Sequence, residues 1–291
     1  MEGPSMDIIT EAVLAPFQYS FMVRALFVSV LVGVMCPVLG AYVVVRGLGF
    51  MSDGLAHSLL PGLVVAALVV AVVSSEWIVL VPNAIAFALL IGYLSKRTGL
   101  SEDTAIGILF AGLFALGLTM LTAARGLKVS LESVLLGQVL GVSRGDVIVT
   151  AALAVVVVAL LLALHKEMVF ATFDPLGASV MGLPTQALDY VLLVLLAVVI
   201  LIALQAVGIV LVISMLITPA AAAQLLTQRF SLAMAVGAAI GVASAIIGLY
   251  VSFHYNLASG PVMALSATGF FILALVMKQG SARIGGRMAR A

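Results

Sequence analysis

Long apolar segments recur along nearly the whole chain, and they restrict the fold more than any other feature. Each is close to the length of about 20 residues with which an α-helix crosses the hydrocarbon core of a bilayer. Nine such segments are present: Phe21–Val45, Ser52–Val73, Ile78–Leu94, Thr104–Ala123, Val147–Leu164, Leu188–Gln205, Ala206–Leu226, Leu232–Phe253 and Pro261–Met277. The sixth and seventh are almost continuous, so a count of eight remains open. Because backbone groups inside a bilayer must bond to one another, we predict an all-α, polytopic membrane protein.

The composition excludes several other classes of protein. Hydrophobic residues make up 64% of the 291 residues and charged residues 9%, and the mean hydropathy is +1.34. The net charge of +1, without a basic patch, gives no indication of nucleic-acid binding. Cys36 is the only cysteine, which leaves neither a disulfide framework nor a cysteine metal site.

The chain lacks the signature of an ATPase. No lysine follows a glycine, as the P-loop requires; the four lysines are Lys96, Lys128, Lys166 and Lys278. The motifs HExxH and GxGxxG are also absent. We therefore predict that the chain is not an enzyme, and that any energy comes from an ion gradient or a separate subunit.

Basic residues predict the orientation, since they favour the cytoplasmic side. With nine spans and the N-terminus outside, nine basic residues fall inside: Arg46, Lys96, Arg97, Lys166, Arg229, Lys278, Arg283, Arg287 and Arg290. Four fall outside: Arg24, Arg125, Lys128 and Arg144. We expect residues 1–19 to form an outer interfacial segment, with a short helix over Ile8–Phe17. Residues 124–146 would form an outer loop, and residues 278–291 a basic cytoplasmic tail.

The spans also suggest an inverted repeat. Segments one to four and six to nine can be matched, with segment five between them, and the two sets would then have opposite topology, as in many transporters. The sequence match between them is weak, so both arrangements, with and without a repeat, stay open.

The most informative polar residues lie in MSDGLAHSLLPG, Met51–Gly62. Asp53 and His57 are four residues apart and project from the same face of a helix. A carboxylate oxygen and an imidazole nitrogen together suit divalent manganese, zinc or iron. Pro61 and Gly62 loosen the helix just beyond, and broken helices at membrane depth line cavities. Two ligands do not close a metal site, so a symmetric second copy or further ligands are needed.

A simpler interpretation of this pair also stands. Ser52 or Asp53 can cap the start of a helix near the lipid headgroups, with Arg46 just upstream. In that case the pair would have no metal to bind.

The second informative stretch is FDPLGASVMGLP, Phe173–Pro184. Asp174 is a good N-cap and Pro175 suits the first helical position, whereas Gly182 and then Pro184 stop a helix. These residues predict a helix of about two turns on the cytoplasmic side. It is either an ordinary connector or an element that docks on a cytoplasmic partner.

The third stretch, Gln205–Leu226, interrupts a span with Thr218 and Pro219 and continues with four alanines. Proline kinks a helix and small residues let helices approach closely, so this span is a packed, kinked helix or a pore-lining, gating one. Val129–Leu140 is amphipathic and is predicted to lie at the outer face.

Three histidine and glutamate side chains stand at the ends of spans and are expected to be solvated: Glu76, His165 and His254.

Taken together, Arg46–Gly62, Thr172–Pro184 and Ala203–Ala223 resemble the permease subunits of metal-ion ABC importers, in the manganese, zinc and iron branch. The resemblance covers nearly the whole chain in the right order. It implies a fold like that of the vitamin B12 and metal importer permeases, in the cell membrane of a prokaryote. It also implies a homodimer of permeases, a cytoplasmic dimer of ATP-binding subunits and an extracytoplasmic metal-binding protein, with no permanent cofactor.

The resemblance assigns roles to individual residues. Asp53 and His57 match the family's intramembrane metal pair. The coupling element toward the ATPase comprises Phe173, Asp174, Pro175, Gly182, Leu183 and Pro184. Pro61, Gly62, Thr218 and Pro219 are the residues expected at the pore or gate. The cargo remains open between manganese and zinc, with iron as a third option.

Two other functions were weighed against this one. A gradient-driven secondary transporter or channel for divalent ions is supported by the inverted repeat alone. An intramembrane enzyme with Asp53 and His57 as acid and base lacks a nucleophile or second catalytic carboxylate nearby.

Overall fold

The computed structural model describes residues 18–69, 75–99, 102–123 and 141–288, which contain helices and no strand. The helices are α1 Ser20–Val45, α2 Gly49–Ser58, α3 Leu60–Val69, α4 Trp77–Thr98, α5 Glu102–Ala123, α6 Arg144–Ala163, α7 His165–Phe173, α8 Pro175–Val180, α9 Thr185–Val207, α10 Ile209–Leu226, α11 Phe230–Tyr255 and α12 Ser259–Met288. The predicted segments Ile8–Phe17 and Val129–Leu140 lie outside the described residues.

Eight spans in the described chain are long and apolar enough to cross a membrane. One of them joins α2 and α3 across the break at Leu59. A ninth helix, α10, contains a shorter apolar stretch, Leu211–Leu226. Gly208 separates it from α9 with a φ of +85°, a backbone conformation that glycine adopts without steric cost. The prediction of an all-α, polytopic protein is confirmed, and the sixth and seventh segments are two helices.

Helix α1 is the centre of the bundle and packs against α10 and α11. Glycines allow the close approach: a Cβ added to Gly33 would lie 2.9 Å from the carbonyl oxygen of Gly241, and one added to Gly40 would overlap the carbonyl oxygen of Leu216. Lipid tails are as apolar as the helices, so no hydrophobic force drives helices together in a bilayer. Small residues allow the close packing that holds them together instead. The core therefore depends on backbone-to-backbone contact between α1, α10 and α11.

The turn after α1 directs the chain back into the bundle. Gly47 has a φ of +71°, and the backbone amide of Leu48 donates to the carbonyl of Val43 at 2.9 Å. This left-handed turn satisfies the last carbonyls of α1. It ends α1 only three residues before α2, so the position of α2 is tied to the end of α1.

Candidate metal-translocation site

Asp53 and His57 lie on one face of α2, as their spacing predicts. The Oδ1 atom of Asp53 is 3.4 Å from Nδ1 of His57, and the same nitrogen is 3.0 Å from the backbone carbonyl oxygen of Asp53. In the single chain 38% of the Asp53 side chain and 20% of the His57 side chain are exposed. The pair thus reaches the surface of the protomer while it remains part of an apolar span.

The capping interpretation of this pair does not agree with the structure. Helix α2 begins at Gly49, and its N-cap residue, Leu48, makes no side-chain cap. The hydroxyl of Ser52 donates to the carbonyl of Leu48 at 3.4 Å, so it does not cap either. Arg46 points elsewhere and pairs with Asp189. Asp53 therefore has no structural task at the start of the helix.

Helix α10 forms the opposite wall of a cavity in front of the pair. The cavity has a volume of about 470 Å³ and is lined by Asp53, His57, Ile209, Ile213, Ser214, Ile217 and Thr218. The structure thus brings the predicted gate residue Thr218 beside the predicted metal pair. Ser214 was missed by the sequence analysis, although its position one turn before Thr218 is a signal that was available.

The other predicted gate residues do not line this cavity. Pro61 and Gly62 are buried in the helix packing. Gly62 lies against the side-chain amide of Asn83, and a Cβ on Gly117 would come within 2.9 Å of the Pro61 nitrogen. Pro219 is also buried, and its carbonyl oxygen would lie 3.5 Å from a Cβ placed on Gly237. These three residues therefore contribute to helix packing and not to the lining of the cavity.

Helix α5 holds the imidazole in place. The ring of His57 meets Phe110 edge to face at a centroid distance of 5.4 Å, and Phe114 at 5.8 Å. Gly54 lets the side chain of Ile106 approach α2 directly. Edge-to-face contacts of this kind restrict a ring to one orientation. His57 is consequently fixed toward Asp53 and the cavity.

The ligands that one chain offers are few. Within the described ranges no group of three or more histidine, cysteine, aspartate or glutamate side chains is placed to hold a metal ion. Asp53 supplies carboxylate oxygens and His57 one nitrogen, with hydroxyl groups from Ser214 and Thr218 across the cavity. A divalent ion needs at least four ligands, so Asp53 and His57 of one chain are too few to hold one by themselves.

The predicted coupling segment has the local structure that its residues indicate. Asp174 caps α8 by accepting from the backbone amide of Gly177 at 2.8 Å, and Pro175 is the first helical residue. Gly182 follows the helix with a φ of +82°, and the amide of Leu183 donates to the carbonyl of Ala178 at 3.0 Å. The predicted cap and stop are confirmed, and the six residues of α8 agree with the predicted length of about two turns.

The surface of this segment is apolar and exposed. Leu176, Val180 and Met181 have exposed fractions of 80%, 86% and 76%. Phe173, just before α8, contacts the ring of Phe230 at a centroid distance of 5.6 Å. Exposed apolar patches mark surfaces that contact other proteins or a membrane.

Solvation at span ends was predicted for three side chains, and the prediction is wrong for two of them. His165 is half-buried, and its Nδ1 atom is 2.9 Å from the hydroxyl of Tyr42. Glu76 is half-buried, and burial raises the pKa of its carboxyl, with the Asp146 carboxylate raising it further. His254 is exposed as expected, and its Nδ1 atom is 3.0 Å from the backbone carbonyl oxygen of Tyr250 in its own helix. Contacts between distant segments, which a sequence does not reveal, account for the two errors.

Comparisons with known proteins agree with this architecture. The ABC 3 transport family matches residues 18–278. The manganese transport system membrane protein MntC of Halalkalibacterium halodurans is 42% identical, over 90% of this chain and 89% of its own length. The chelated iron transport system membrane protein YfeD of Yersinia pestis is 35% identical, over 93% and 90%.

A solved structure supports the same assignment. PsaBC from Streptococcus pneumoniae, determined in complex with Fab, superposes with a TM-score of 0.80 at 29% identity, over 91% of this chain and 95% of that one. Sequence and fold therefore lead to the same conclusion: the chain belongs to the ABC 3 transport family and is a membrane-spanning transport permease.

Proposed function

We propose that this chain forms the translocation path of an importer for a divalent transition metal, with manganese or iron as cargo, and that Asp53 and His57 bind the metal in transit. The observation that carries the proposal is the placement of this pair opposite Ser214 and Thr218 in one cavity of the α2–α10 wall. Carboxylate and hydroxyl oxygens with one imidazole suit these metals. The relatives are named for manganese and iron transport, which favours these metals over zinc.

The depth of the pair supports a path through the membrane. With a rise of about 1.5 Å per residue, Asp53 lies about 6 Å and His57 about 12 Å along α2 from its start at Gly49. Ionisable side chains at such depth face a bundle interior or a water-filled cavity, since exposure to lipid costs several kcal/mol. The Asp53 carboxylate is 38% exposed in the single chain, so a second protein surface is needed to shield it from lipid.

A second copy of the chain provides that cover. A two-fold axis beside α2 would bring together two carboxylates and two imidazoles, which complete the half-site of each protomer. The remaining ligand positions would fall to water or to hydroxyl groups such as those of Ser214 and Thr218. A site of this kind holds the ion loosely enough to release it to the other side.

The remaining partners follow from the coupling segment and from the family. Leu176, Val180 and Met181 form an exposed apolar surface suited to a groove of a separate cytoplasmic ATPase subunit. Docking of this kind requires segment 173–184 to lie inside, and the basic asymmetry supports an outer N-terminus and a cytoplasmic C-terminus in a prokaryotic cell membrane. An extracytoplasmic metal-binding protein delivers the ion to the outer face.

Uptake of radioactive manganese into cells tests the proposal. Asp53→Asn retains the shape of the side chain and removes its charge, and His57→Ala removes the imidazole, so each should abolish uptake at normal membrane levels. His254→Ala is the matched control and should transport normally, because that histidine is exposed and is not part of the cavity lining. Wild-type uptake by the Asp53→Asn variant would reduce Asp53 to a polar residue without a role in transport, and the metal path would lie elsewhere.

A further inference from the structure

One arginine contacts residues on both sides of the coupling segment. The Nε atom of Arg46 donates to the hydroxyl oxygen of Thr172 at 3.0 Å, and its Nη1 atom donates to Oδ1 of Asp189 at 2.8 Å. Thr172 directly precedes the segment 173–184, and Asp189 lies in the second turn of the helix that follows it. Thr172 and Asp189 are thus fixed to the same guanidinium group.

The hydrogen bonds of this cluster have defined directions. The hydroxyl of Thr172 donates its own proton to the carbonyl of Met168 at 2.6 Å, so its oxygen is free to accept from Arg46. The side chain of Arg46 is only 15% exposed. A guanidinium is planar and holds two partners at fixed angles, which a flexible ammonium group cannot do. The link between α1, α7 and α9 is therefore short and stiff.

Arg46 is also next to the helix that carries the metal pair. It is the C-cap residue of α1 and immediately precedes Gly47, the left-handed residue that turns the chain into α2. Asp53 is seven residues further on. A displacement of Thr172 and Asp189 therefore reaches the start of α2 through one side chain.

A cavity beside Arg46 and Asp189 makes the hydrogen-bonded link between them important. A cavity of about 370 Å³ lies between α2, α4, α7 and α9 and includes Arg46, Met51, Gly92, Pro175 and Asp189 in its lining. Where side chains are close-packed, any contact transmits a movement. Across this cavity Arg46 and its partners are joined by hydrogen bonds, in addition to the direct packing of α9 on α2.

A second cation serves as an internal comparison. Lys96 of α4 contacts the other carboxylate oxygen of Asp189, with Nζ 3.2 Å from Oδ2, and lies over the ring of Tyr190 at 4.8 Å. It belongs to the same charge cluster but does not precede α2. Its removal weakens the cluster and leaves the link from the coupling segment to α2 in place.

We propose that Arg46 is a positioning residue that transmits movement of the coupling segment, through Thr172 and Asp189, to α2 and its Asp53–His57 pair. The inference rests on the proposed function, since it assigns the route by which the ATPase acts on the metal site. A coupling of this kind needs a continuous physical connection between two sites. Arg46 supplies it at the point where the two segments meet.

The test uses the permease reconstituted with its ATPase subunit and metal-binding protein in liposomes. Arg46→Gln should retain ATP hydrolysis and reduce manganese uptake per ATP by a factor of about 5–150, the usual range of coupling between sites. Thr172→Val and Asp189→Asn should each reduce it in the same direction. Arg46→Lys retains the charge without the fixed geometry and should fall between wild type and Arg46→Gln. Lys96→Gln is the matched control and should couple as wild type.

Two further measurements separate lost coupling from other effects. The double variant R46Q/D189N removes both charges of the Arg46–Asp189 pair and leaves only the exposed Lys96 without its carboxylate, so it should fold and still be uncoupled; restored coupling would overturn the proposal. Hydrogen exchange in residues 49–58 should respond to a non-hydrolysable ATP analogue in wild type and in Lys96→Gln, and lose that response in Arg46→Gln. An equal loss in Lys96→Gln, or an unchanged response in Arg46→Gln, would also overturn it.

The exchange measurement needs no metal. The exchange result is therefore valid even if Asp53→Asn transports normally and the metal path lies elsewhere. Failure of the proposed function would appear as normal uptake by Asp53→Asn, whereas failure of the Arg46 link would appear as an unchanged exchange response in Arg46→Gln.

Discussion

The contact between α1 and α10 allows a graded test of how the bundle is held together. A Cβ on Gly40 would overlap the carbonyl oxygen of Leu216 and lie 3.3 Å from Cβ of Ala220. A Cβ on Gly33 would lie 2.9 Å from the carbonyl oxygen of Gly241. On Gly237 the nearest atom would be 3.4 Å away, an ordinary contact. Alanine substitutions at these glycines should therefore differ sharply in their effect.

The magnitudes follow from two opposing terms. An alanine in place of a helical glycine gains about 0.5–1 kcal/mol because it restricts the unfolded chain. Excess volume in a packed core costs about 1–3 kcal/mol and more when backbone must move. For Gly40→Ala the clash is with backbone, so we expect a net loss of about 2 kcal/mol or more. Gly33→Ala should lose about 1 kcal/mol, and Gly237→Ala should be close to neutral, on the same principles.

Thermal unfolding of the purified protein in detergent measures the series. At about 2–4 °C per kcal/mol, Gly40→Ala should lower Tm by about 4–8 °C. Gly269→Ala is the control, since no atom lies within 4 Å of its Cβ position, and its Tm should be unchanged or slightly higher. Leu216 lies between Ser214 and Thr218 in α10, so Gly40→Ala should also reduce metal uptake. If Gly40→Ala and Gly237→Ala had the same Tm, close backbone contact would not be what holds α1 to α10.

Two further predictions concern orientation and pH. In a Cys36-free background, a cysteine placed after Met277 should be protected from impermeant thiol reagents in intact cells, whereas one at the exposed Asn256 should be labelled; the reverse pattern would invert the orientation. Burial and Asp146 raise the pKa of Glu76 above its usual value of 4.5, so ionisation of Glu76 destabilises the folded state as the pH rises above that value and not below it. Glu76→Gln should therefore raise Tm at about pH 7 and leave it unchanged near pH 4, and an equal rise at both values would contradict this explanation.

Local features of the chain were predictable because local physics determines them. The spans follow from apolar length, and the cap and stop of α8 follow from Asp174, Pro175 and Gly182. The common face of Asp53 and His57 follows from helical periodicity. Each of these features involves residues at most nine positions apart or the length of one segment, so neighbouring residues suffice to specify it.

The family assignment also came from the sequence, through motifs in three separate stretches. Its implied roles for Pro61, Gly62 and Pro219 nevertheless needed the structure, which shows these residues in packing contacts and outside the cavity lining. A sequence motif shows which residues occur together, but it does not show which of their side chains line the cavity.

Only the tertiary structure decided which helix faces meet. It placed Ser214 and Thr218 of α10 opposite Asp53, and it joined Arg46 to Asp189, 143 residues away in the chain. The physical reason is the apolar character of the spans on all sides. A soluble helix reveals its inner face by an apolar stripe, but in a membrane both the lipid and the neighbouring helix are apolar, so close packing and a few polar contacts select the partner.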